Sequence, residues 1–590
     1  MKLRTISTAL ALTGLLLGAS GCKDFFDVNV DPIRPTKAEL QQLLPVTQTA
    51  TSTYLGFNIA GLGQPTSALM QQLSNGRGIG NYQQNGDSFS GAWNGLYSDM
   101  LANNELIITQ GTTEQKWAYV GIAQIQKAYV FSQLVDMFGD IPYSEALKGA
   151  QNIAPRFDKD VDIYNGNAGL GIQGLFALID EGIANLAKPG AGISPGSDLF
   201  YAGSLDQWAR FGRTLKLKLL VQIRKTRSDA AFQQQVSALL AANSSLLGQG
   251  GDFEFKYGSS ESPANRNIGF LADYVNAARE NNVGRFLYLF MRYGNASDPS
   301  DPKPLPGRLA DPRIPYYFFN QLASPAVFDA AANDYQDPNS PFSGFVTLRQ
   351  GSTGPASASA TASNTRTLPG LYPVGGRYDD GRGGVANTTF GRGLVAQRLL
   401  PYFSRLFLEA EAQLTILNNR AAAKTAFDAA LRASFAKVNA IALAEATSTS
   451  PVNTNGSPYP TAIPAGQRAL GVIPTSEIET YVTAALARFD GASPLQVIME
   501  EKYVASFGMG PDIYTDWRRT GFPVITVADN SSIGNNAGLV EDNDPITRGA
   551  GLFPRRLFYS QQDLTANSNP SAPKAQVDPV SANYRIFWDR

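Results

Sequence analysis

Apolar residues recur along much of the chain at the three- and four-residue spacing of amphipathic helices. This spacing predicts helices over 115–138, 172–187, 207–225, 400–417, 421–437 and 493–508. Strand patterns are few and short, and 290–395 is rich in Pro, Gly and Asp with little periodicity. The pattern therefore predicts a mostly α protein, with helices in pairs between long loops.

One predicted helix, 493–508, also carries a start signal. Ser493 has the side chain of an N-cap residue, and Pro494 would occupy the first helical position. Gln496 follows three residues after the cap, which is the spacing of a capping box. We therefore expect a helix that begins at this serine.

Composition narrows the classes of function. The chain has no histidine among its 590 residues, which removes Ser-His-Asp and Cys-His catalysis and the usual zinc ligand. Its net charge of −1 gives no basic field for nucleic acid. The composition argues against most enzyme classes and against nucleic-acid binding, and it indicates no cofactor.

One acidic stretch has the spacing of a calcium loop. Asp158, Asp160 and Asp162 alternate as the first ligands of such a loop do. Ile163 stands where the loop requires glycine, and Gly169 stands where it requires a bidentate glutamate. The sequence therefore predicts no metal site here.

The N-terminus has the features of a secretory signal peptide. Two basic residues lie in 1–4, an uncharged and mostly apolar run covers 6–18, and small residues follow up to Cys22. Cys22 is the only cysteine of the chain, and the stretch ASGC resembles the site where bacterial lipoproteins are cut and lipidated. We expect 1–21 to be removed and acyl chains on Cys22 to anchor 22–590 to a membrane.

Further motifs, in one order along the chain, resemble the SusD/RagB family of surface lipoproteins. One is LVDMFGDIPYSEAL at 134–147. Others are AWNGLYSDMLANNELI (92–107), LFALIDEGIANL (175–186), RLFLEAEAQL (405–414), VIMEEKYVASFGMGPDIYTDWRRTGFPVI (497–525) and FPRRLFYSQQDLTANSN (553–569). The last two are most similar to the SusD-like branch with EWRRTG and PRR motifs. The resemblance covers nearly the whole mature chain.

The resemblance implies a SusD-like fold, a single α-rich domain of tetratricopeptide-type helix pairs with extensive loop insertions. It also implies an outer-membrane lipoprotein that is not an enzyme. Such a protein binds an oligomeric nutrient, most often a glycan and sometimes a peptide, and delivers it to a SusC-type TonB-dependent transporter. Asp24 and Asp27 resemble a surface-export signal, which Lys23 interrupts, and we expect the protein to face the cell exterior.

Ligand capture of this kind needs an apolar platform beside a few placed polar groups. The best candidate is the polar, Gly-rich segment 80–97, and its candidate ligand contacts are Tyr82, Asp87, Trp93 and Asn94. An alternative is that Trp93 and Tyr97 face the core of the helix that starts there. The aromatic residues of this segment therefore either contact a ligand or pack in the core.

The loop 370–384 is a second candidate, with Tyr372, Arg377 and Tyr378 as candidate ligand contacts. The run YYFFN at 316–320 also carries aromatic residues, but such a dense apolar run is usually buried. We therefore predict that 316–320 belongs to the core.

Two other functions stay open as hypotheses. A glycoside hydrolase would use two carboxylates, but the adjacent Glu500 and Glu501 should face different ways on a helix and so could not flank one bond. A helical-repeat adaptor would bind protein only. Arg518 and Arg519 resemble a nucleic-acid patch in isolation, but in a near-neutral chain we predict packing or internal salt bridges for them.

Overall fold

The structure is a computed structural model that describes residues 38–74, 84–276, 279–294, 307–322, 335–336, 345–348, 362–446, 470–525, 553–576 and 585–590. Helices dominate these residues, so the predicted mostly α class is confirmed. Within these ranges, no helix has both the length and the apolar character that crossing a bilayer requires.

The helices of the first half of the chain are α1 (Leu40–Leu55), α2 (Gly63–Leu69), α3 (Ser90–Gly95), α4 (Ala102–Thr113), α5 (Trp117–Phe138), α6 (Asp160–Asn165), α7 (Leu175–Leu186), α8 (Leu205–Gln222), α9 (Ala230–Ala241), α10 (Ile268–Phe270) and α11 (Arg285–Tyr293). Those of the second half are α12 (Ile314–Tyr317), α13 (Leu371–Val374), α14 (Tyr402–Thr415), α15 (Arg420–Ala446), α16 (Thr475–Phe489), α17 (Pro494–Ala505), α18 (Gly510–Thr520) and α19 (Gln561–Ala566). Single π-helical turns cover Leu96–Leu101 and Leu271–Val275.

The strands are short and pair two by two in antiparallel ladders. They are β1 (Leu73–Ser74), β2 (Ile141–Pro142), β3 (Phe157–Asp158), β4 (Phe253–Phe255), β5 (Asn282–Val283), β6 (Phe318–Phe319), β7 (Tyr335–Gln336), β8 (Val346–Thr347), β9 (Leu368–Pro369) and β10 (Gln397–Leu400). The pairs are β1 with β5, β2 with β3, β4 with β10, β6 with β9 and β7 with β8. Each ladder joins two short segments of the chain through backbone hydrogen bonds.

The longer helices pack as neighbours that short connections join. α4 contacts α5 across a connection at 114–116, and α14 contacts α15 across one at 416–419. α7 contacts both α5 and α8, and α14 contacts both α8 and α17. Short connections make successive helices antiparallel neighbours, and stacking of such pairs is how helical repeats bury a continuous core.

All six helices predicted from periodicity are present. α15 runs past its predicted end to Ala446, because the Ala-rich segment contains no strong helix breaker. α17 begins after Ser493 as predicted, but the Ser493 side chain makes no cap hydrogen bond. Gln496 donates to Glu500 Oε1 at 2.8 Å instead, so the expected capping box is wrong.

Periodicity missed α18, because buried charged residues interrupt the apolar pattern of this helix. Arg519 donates to Asp516 Oδ1 at 2.6 Å and also pairs with Glu411 of α14. Lys502 of α17 lies 2.6 Å from Asp516 Oδ2, and Arg224 lies 3.2 Å from Glu411 Oε1. Buried charges persist when they are paired in this way. The predicted internal salt bridges are confirmed for Arg519.

Candidate functional site

The first candidate segment is fastened to the C-terminal part of the chain. Gln84 Nε2 donates to Arg556 O at 3.3 Å, and Gln84 Oε1 accepts from Phe558 N at 2.8 Å. Gln561 N donates to Gly86 O at 2.9 Å, which brings the start of α19 beside the turn. Tyr82 lies outside the described residues.

The turn before α3 presents polar groups to solvent. Asp87 N donates to Asn85 Oδ1 at 2.9 Å, and Ser90 Oγ donates to Asp87 O at 2.9 Å. The backbone of Asp87 is thus held, while its exposed carboxylate makes no hydrogen bond within the described part of the chain. Asn94 is also exposed, and its Nδ2 lies 3.5 Å from Gln562 Oε1.

Trp93 lies in the core, beneath this turn. Its ring makes edge contacts with Phe138 at a centroid distance of 5.0 Å and with Tyr559 at 5.7 Å, and it tilts against Tyr97 at 5.2 Å. Only 2% of Trp93 is exposed, which fits the alternative that it faces the core. A ligand could touch Trp93 only if α3 moved, and that contact stays a prediction.

Tyr54, at the end of α1, lies against the same region and was missed from the sequence. A Cβ atom at Gly95 would overlap the Tyr54 ring, so the glycine lets the ring lie directly on α3. Tyr54 Oη donates to Asp99 Oδ2 at 2.6 Å, and Ser98 donates to Asp99 Oδ1 at 2.7 Å. The hydrogen bond to Asp99, with partial burial, raises the pKa of Tyr54 to about 12.

Five residues lie around α3, four of them in α1, α3, the π-helical turn and α19 and one in the turn before α3. We call this set the Tyr54 face: Tyr54, Asp87, Asn94, Asp99 and Gln562. It combines one partly exposed aromatic ring with carboxylate and amide groups. The sequence signal for Tyr54 was Gly95, because a glycine inside a helix often marks a close approach of another group. Tyr54 and its hydrogen-bond partner Asp99 are 45 residues apart in the sequence, so no local pattern indicated that they are in contact.

Gly95→Ala is expected to destabilise the protein by about 1–3 kcal/mol, because the new methyl group displaces the Tyr54 ring. In a Tyr54→Ala background the same change should be neutral or stabilising, since alanine favours a helix over glycine by about 1 kcal/mol. Chemical unfolding of the two single variants and the double variant measures this difference. An equal cost of Gly95→Ala in both backgrounds would contradict the contact.

A carboxyl group with an unpaired oxygen lies next to the Tyr54 face. Asp563 Oδ2 in α19 is buried and has no hydrogen-bond partner among the described residues. Burial raises the pKa of Asp563 to about 6. A carboxyl group with a raised pKa binds its proton more tightly in the folded than in the unfolded state, so its ionisation costs stability as pH rises toward 6.

Asp563→Asn should therefore gain in melting temperature relative to the wild type as the pH rises from about 4 to about 8. The other acidic groups titrate alike in both proteins, so their contributions cancel in the comparison. Scanning calorimetry across this range measures the change, with the exposed Asp87→Asn as the matched control. A constant difference between Asp563→Asn and wild type at all pH values would show that burial does not shift this group.

The second candidate loop lies in the core. Tyr372 stacks on Tyr317 with parallel rings 4.7 Å apart, and the Arg398 guanidinium lies 4.1 Å from the Tyr372 ring centre. Both terminal nitrogens of Arg398 donate at 3.0 Å to main-chain oxygens, one of Tyr372 and one of Phe507. The core position predicted for 316–320 is confirmed.

Arg377 and Tyr378 are buried beside this stack. Arg377 pairs with both oxygens of Asp380 at 3.1 Å and lies over the ring of Phe390 at 4.6 Å. Tyr378 packs on Tyr316 at 4.9 Å. Tyr372, Arg377 and Tyr378 thus serve the packing of this loop, and their contact with a ligand stays a prediction that requires the loop to open.

The expectation that Glu500 and Glu501 face different ways is wrong. Arg488 lies 3.4 Å from Glu500 Oε2 and 2.5 Å from Glu501 Oε1, and Arg308 also pairs with both glutamates. Burial raises the pKa of Glu501, but Arg488, Arg313 and Arg308 together hold it below its ordinary value. Both carboxylates therefore form ion pairs with arginine side chains.

In the stretch with calcium-loop spacing, the first carboxylate, Asp158, makes hydrogen bonds within the protein. Asp158 Oδ1 accepts from Arg156 Nε at 2.7 Å, and Asp158 Oδ2 accepts from the backbone of Ser144 at 2.6 Å. Across the described ranges, no group of three or more acidic, His or Cys side chains comes together as metal ligands would.

Comparison with known families bears on the whole chain. Residues 37–541 match the SusD-like family model, whose description is starch-binding associating with outer membrane. This chain belongs to that family. The resemblance to SusD/RagB proteins is therefore confirmed. No curated protein sequence matches the chain.

Solved structures of SusD-like proteins share its fold. A SusD/RagB family protein from Bacteroides thetaiotaomicron has a TM-score of 0.65 and 21% identity, with 94% of this chain and 99% of that chain covered. A SusD homolog from Bacteroides uniformis has a TM-score of 0.60 and 18% identity, covering 93% and 99%. A chitin-binding SusD homolog from Flavobacterium johnsoniae has a TM-score of 0.57 and 18% identity, covering 93% and 97%. The expected SusD-like fold is confirmed.

Proposed function

We propose that this protein is a lipid-anchored protein of the outer membrane that captures a glycan chain at the cell surface. Residues 1–21 are a signal peptide, Cys22 carries the acyl chains, and 22–590 is a single mature domain. The captured glycan passes to a SusC-type TonB-dependent transporter. The transporter supplies the pore, and this chain supplies the surface that binds the glycan.

The match to a starch-binding family over residues 37–541 carries this proposal. A similar structure belongs to a chitin-binding protein, which favours a glycan over a peptide as the ligand. Starch, in the family description, and chitin, the ligand of that similar structure, are both neutral polysaccharides.

The Tyr54 face has the chemistry to hold such a chain. A sugar ring packs its C–H face on an aromatic ring, and its hydroxyl groups bond amides and carboxylates. Asp87 and Asn94 are the sequence-predicted contacts that lie exposed on this face. Tyr54 supplies the ring, and Asp99 holds the Tyr54 hydroxyl in place.

We propose capture without cleavage. Glycoside hydrolysis needs one carboxylic acid to donate a proton and a second carboxylate to attack or to activate water. The adjacent pair Glu500 and Glu501 is held in ion pairs with Arg308 and Arg488, which leaves neither group poised to donate a proton.

Titration of the purified mature protein with starch- and chitin-derived oligosaccharides tests both glycan capture and the absence of cleavage. We expect saturable binding of at least one of them, with no new reducing ends after prolonged incubation. Absence of binding to every glycan, with the transporter still co-purifying, would replace glycan capture by a protein-binding adaptor. Release of reducing ends would replace it by a hydrolase.

A further inference from the structure

A cleft of about 210 Å³ lies between the β4–β10 ladder, α15 and the loop that follows α13. Part of its wall is apolar, with Leu371, Leu394 and Ile441 among the lining residues. Pockets for drug-sized ligands begin at about 300 Å³, so this cleft has room for one ring rather than a chain. It is distinct from the Tyr54 face.

Strand pairing places charged side chains together in this cleft. Arg398 lies opposite Glu254 in the antiparallel pairing of β10 with β4. Side chains alternate along a strand, so Lys256, two residues after Glu254, follows on the same side of the ladder. Lys256, Glu254 and Arg398 all line the cleft.

The negative charges of the cleft are already paired. Glu254 Oε2 lies 2.7 Å from Lys437 Nζ, and Glu445 Oε2 accepts from Arg392 Nε at 2.9 Å. Lys256 and Arg398 have no carboxylate within ion-pair distance among the described residues. Lys256 is exposed, whereas only 2% of Arg398 is exposed. Two cations in one small cleft therefore lack a counter-ion in the part of the chain that the structure describes.

Two buried polar atoms of the lining residues also lack partners in the described part of the chain. Arg398 Nε makes no hydrogen bond, and neither does Glu445 Oε1. Each such atom costs free energy unless a ligand or water satisfies it. The first is a donor and the second an acceptor, so one ligand that satisfies both must carry an acceptor and a donor, and a hydroxylated acid has both.

We propose that this cleft binds a single acidic sugar of the uronic acid type. Its carboxylate lies toward Lys256 and Arg398, a hydroxyl group lies toward Glu445, and the C–H face of its ring packs on the apolar wall. The inference takes its ligand class from the proposed glycan capture, but it concerns a different surface. A glycan with acidic units would then contact the protein at two places.

Calorimetric titration of the full mature chain with galacturonic acid, glucose and acetate tests this proposal. We expect galacturonic acid to bind most tightly, because only it offers both a carboxylate and a hydroxylated ring. Lys256→Gln should weaken its binding about tenfold, the loss of about one charge-assisted contact. The matched control Lys148→Gln removes an exposed lysine elsewhere and should leave the affinity unchanged.

Three results would overturn the acidic-sugar site: equal binding of glucose, equal binding of acetate, or unchanged affinity in Lys256→Gln. Lys256 is exposed, so its variant should fold, and neutral oligosaccharides should bind the variant as they bind wild type. If galacturonic acid fails while neutral oligosaccharides bind, only the cleft proposal falls. If every sugar fails, the proposed glycan capture falls as well.

Discussion

Replacing Glu411 by glutamine is expected to lower the free energy of unfolding by about 3–5 kcal/mol, because it removes one partner of a buried ion-pair network. Glu411 is fully buried in α14 and contacts Arg519 of α18 and Arg224 of the turn that follows α8. Glutamine keeps the shape but not the charge. Arg224 then lies buried without its carboxylate, and Arg519 keeps only Asp516.

Denaturant unfolding of Glu411→Gln and of a surface control measures this effect. Glu479 pairs with Arg432 on an exposed face of α16, and Glu479→Gln should leave the unfolding midpoint nearly unchanged because exposed ion pairs contribute little. Similar losses in both variants, or no loss in Glu411→Gln, would show that the buried network does not hold α14, α18 and the turn after α8 together.

Cys22→Ser is expected to abolish attachment to the outer membrane, because this chain has no other cysteine to acylate. Each buried CH₂ of an acyl chain contributes about 0.8 kcal/mol, so losing the chains removes nearly all membrane affinity. Fractionation of cells, together with labelling by radioactive palmitate, measures the loss. Ser20→Ala keeps a small residue near the cleavage site and serves as the control.

Wild-type protein and Ser20→Ala should incorporate palmitate and sediment with the outer membrane. Protease added to intact cells should degrade both, since we expect the mature chain to face the exterior. If Cys22→Ser still sediments with the outer membrane and incorporates palmitate, the lipid anchor is not at Cys22.

Much of the fold could be predicted from the sequence where apolar residues recur at helical spacing. Such spacing predicted the helices α5, α7, α8, α14, α15 and α17. α18 escaped because it buries Asp516 and Arg519, whose charges are satisfied by residues of other helices. Only the resemblance of the DWRRTG motif pointed to its place in the fold.

The candidate site was less predictable, because aromatic residues in polar loops have two uses. Trp93 and Tyr372 have polar, Gly-rich neighbours in sequence, yet both rings pack in the core. Tyr54 lies in a helix with no sign of function, and its partner Asp99 comes 45 residues later. Asp87 and Asn94 are exposed, in the turn before α3 and near the end of that short helix, and their contact with a ligand stays a prediction.

Calorimetric titration of Tyr54→Ala with the oligosaccharide that wild type binds best tests the proposed glycan surface. Loss of the ring is expected to weaken binding at least tenfold, since aromatic contacts carry much of the affinity of such sites. Trp117→Ala, which removes a partly exposed aromatic residue at the start of α5, should bind as wild type does. Unchanged affinity in Tyr54→Ala, with the protein folded, would contradict glycan capture on the Tyr54 face.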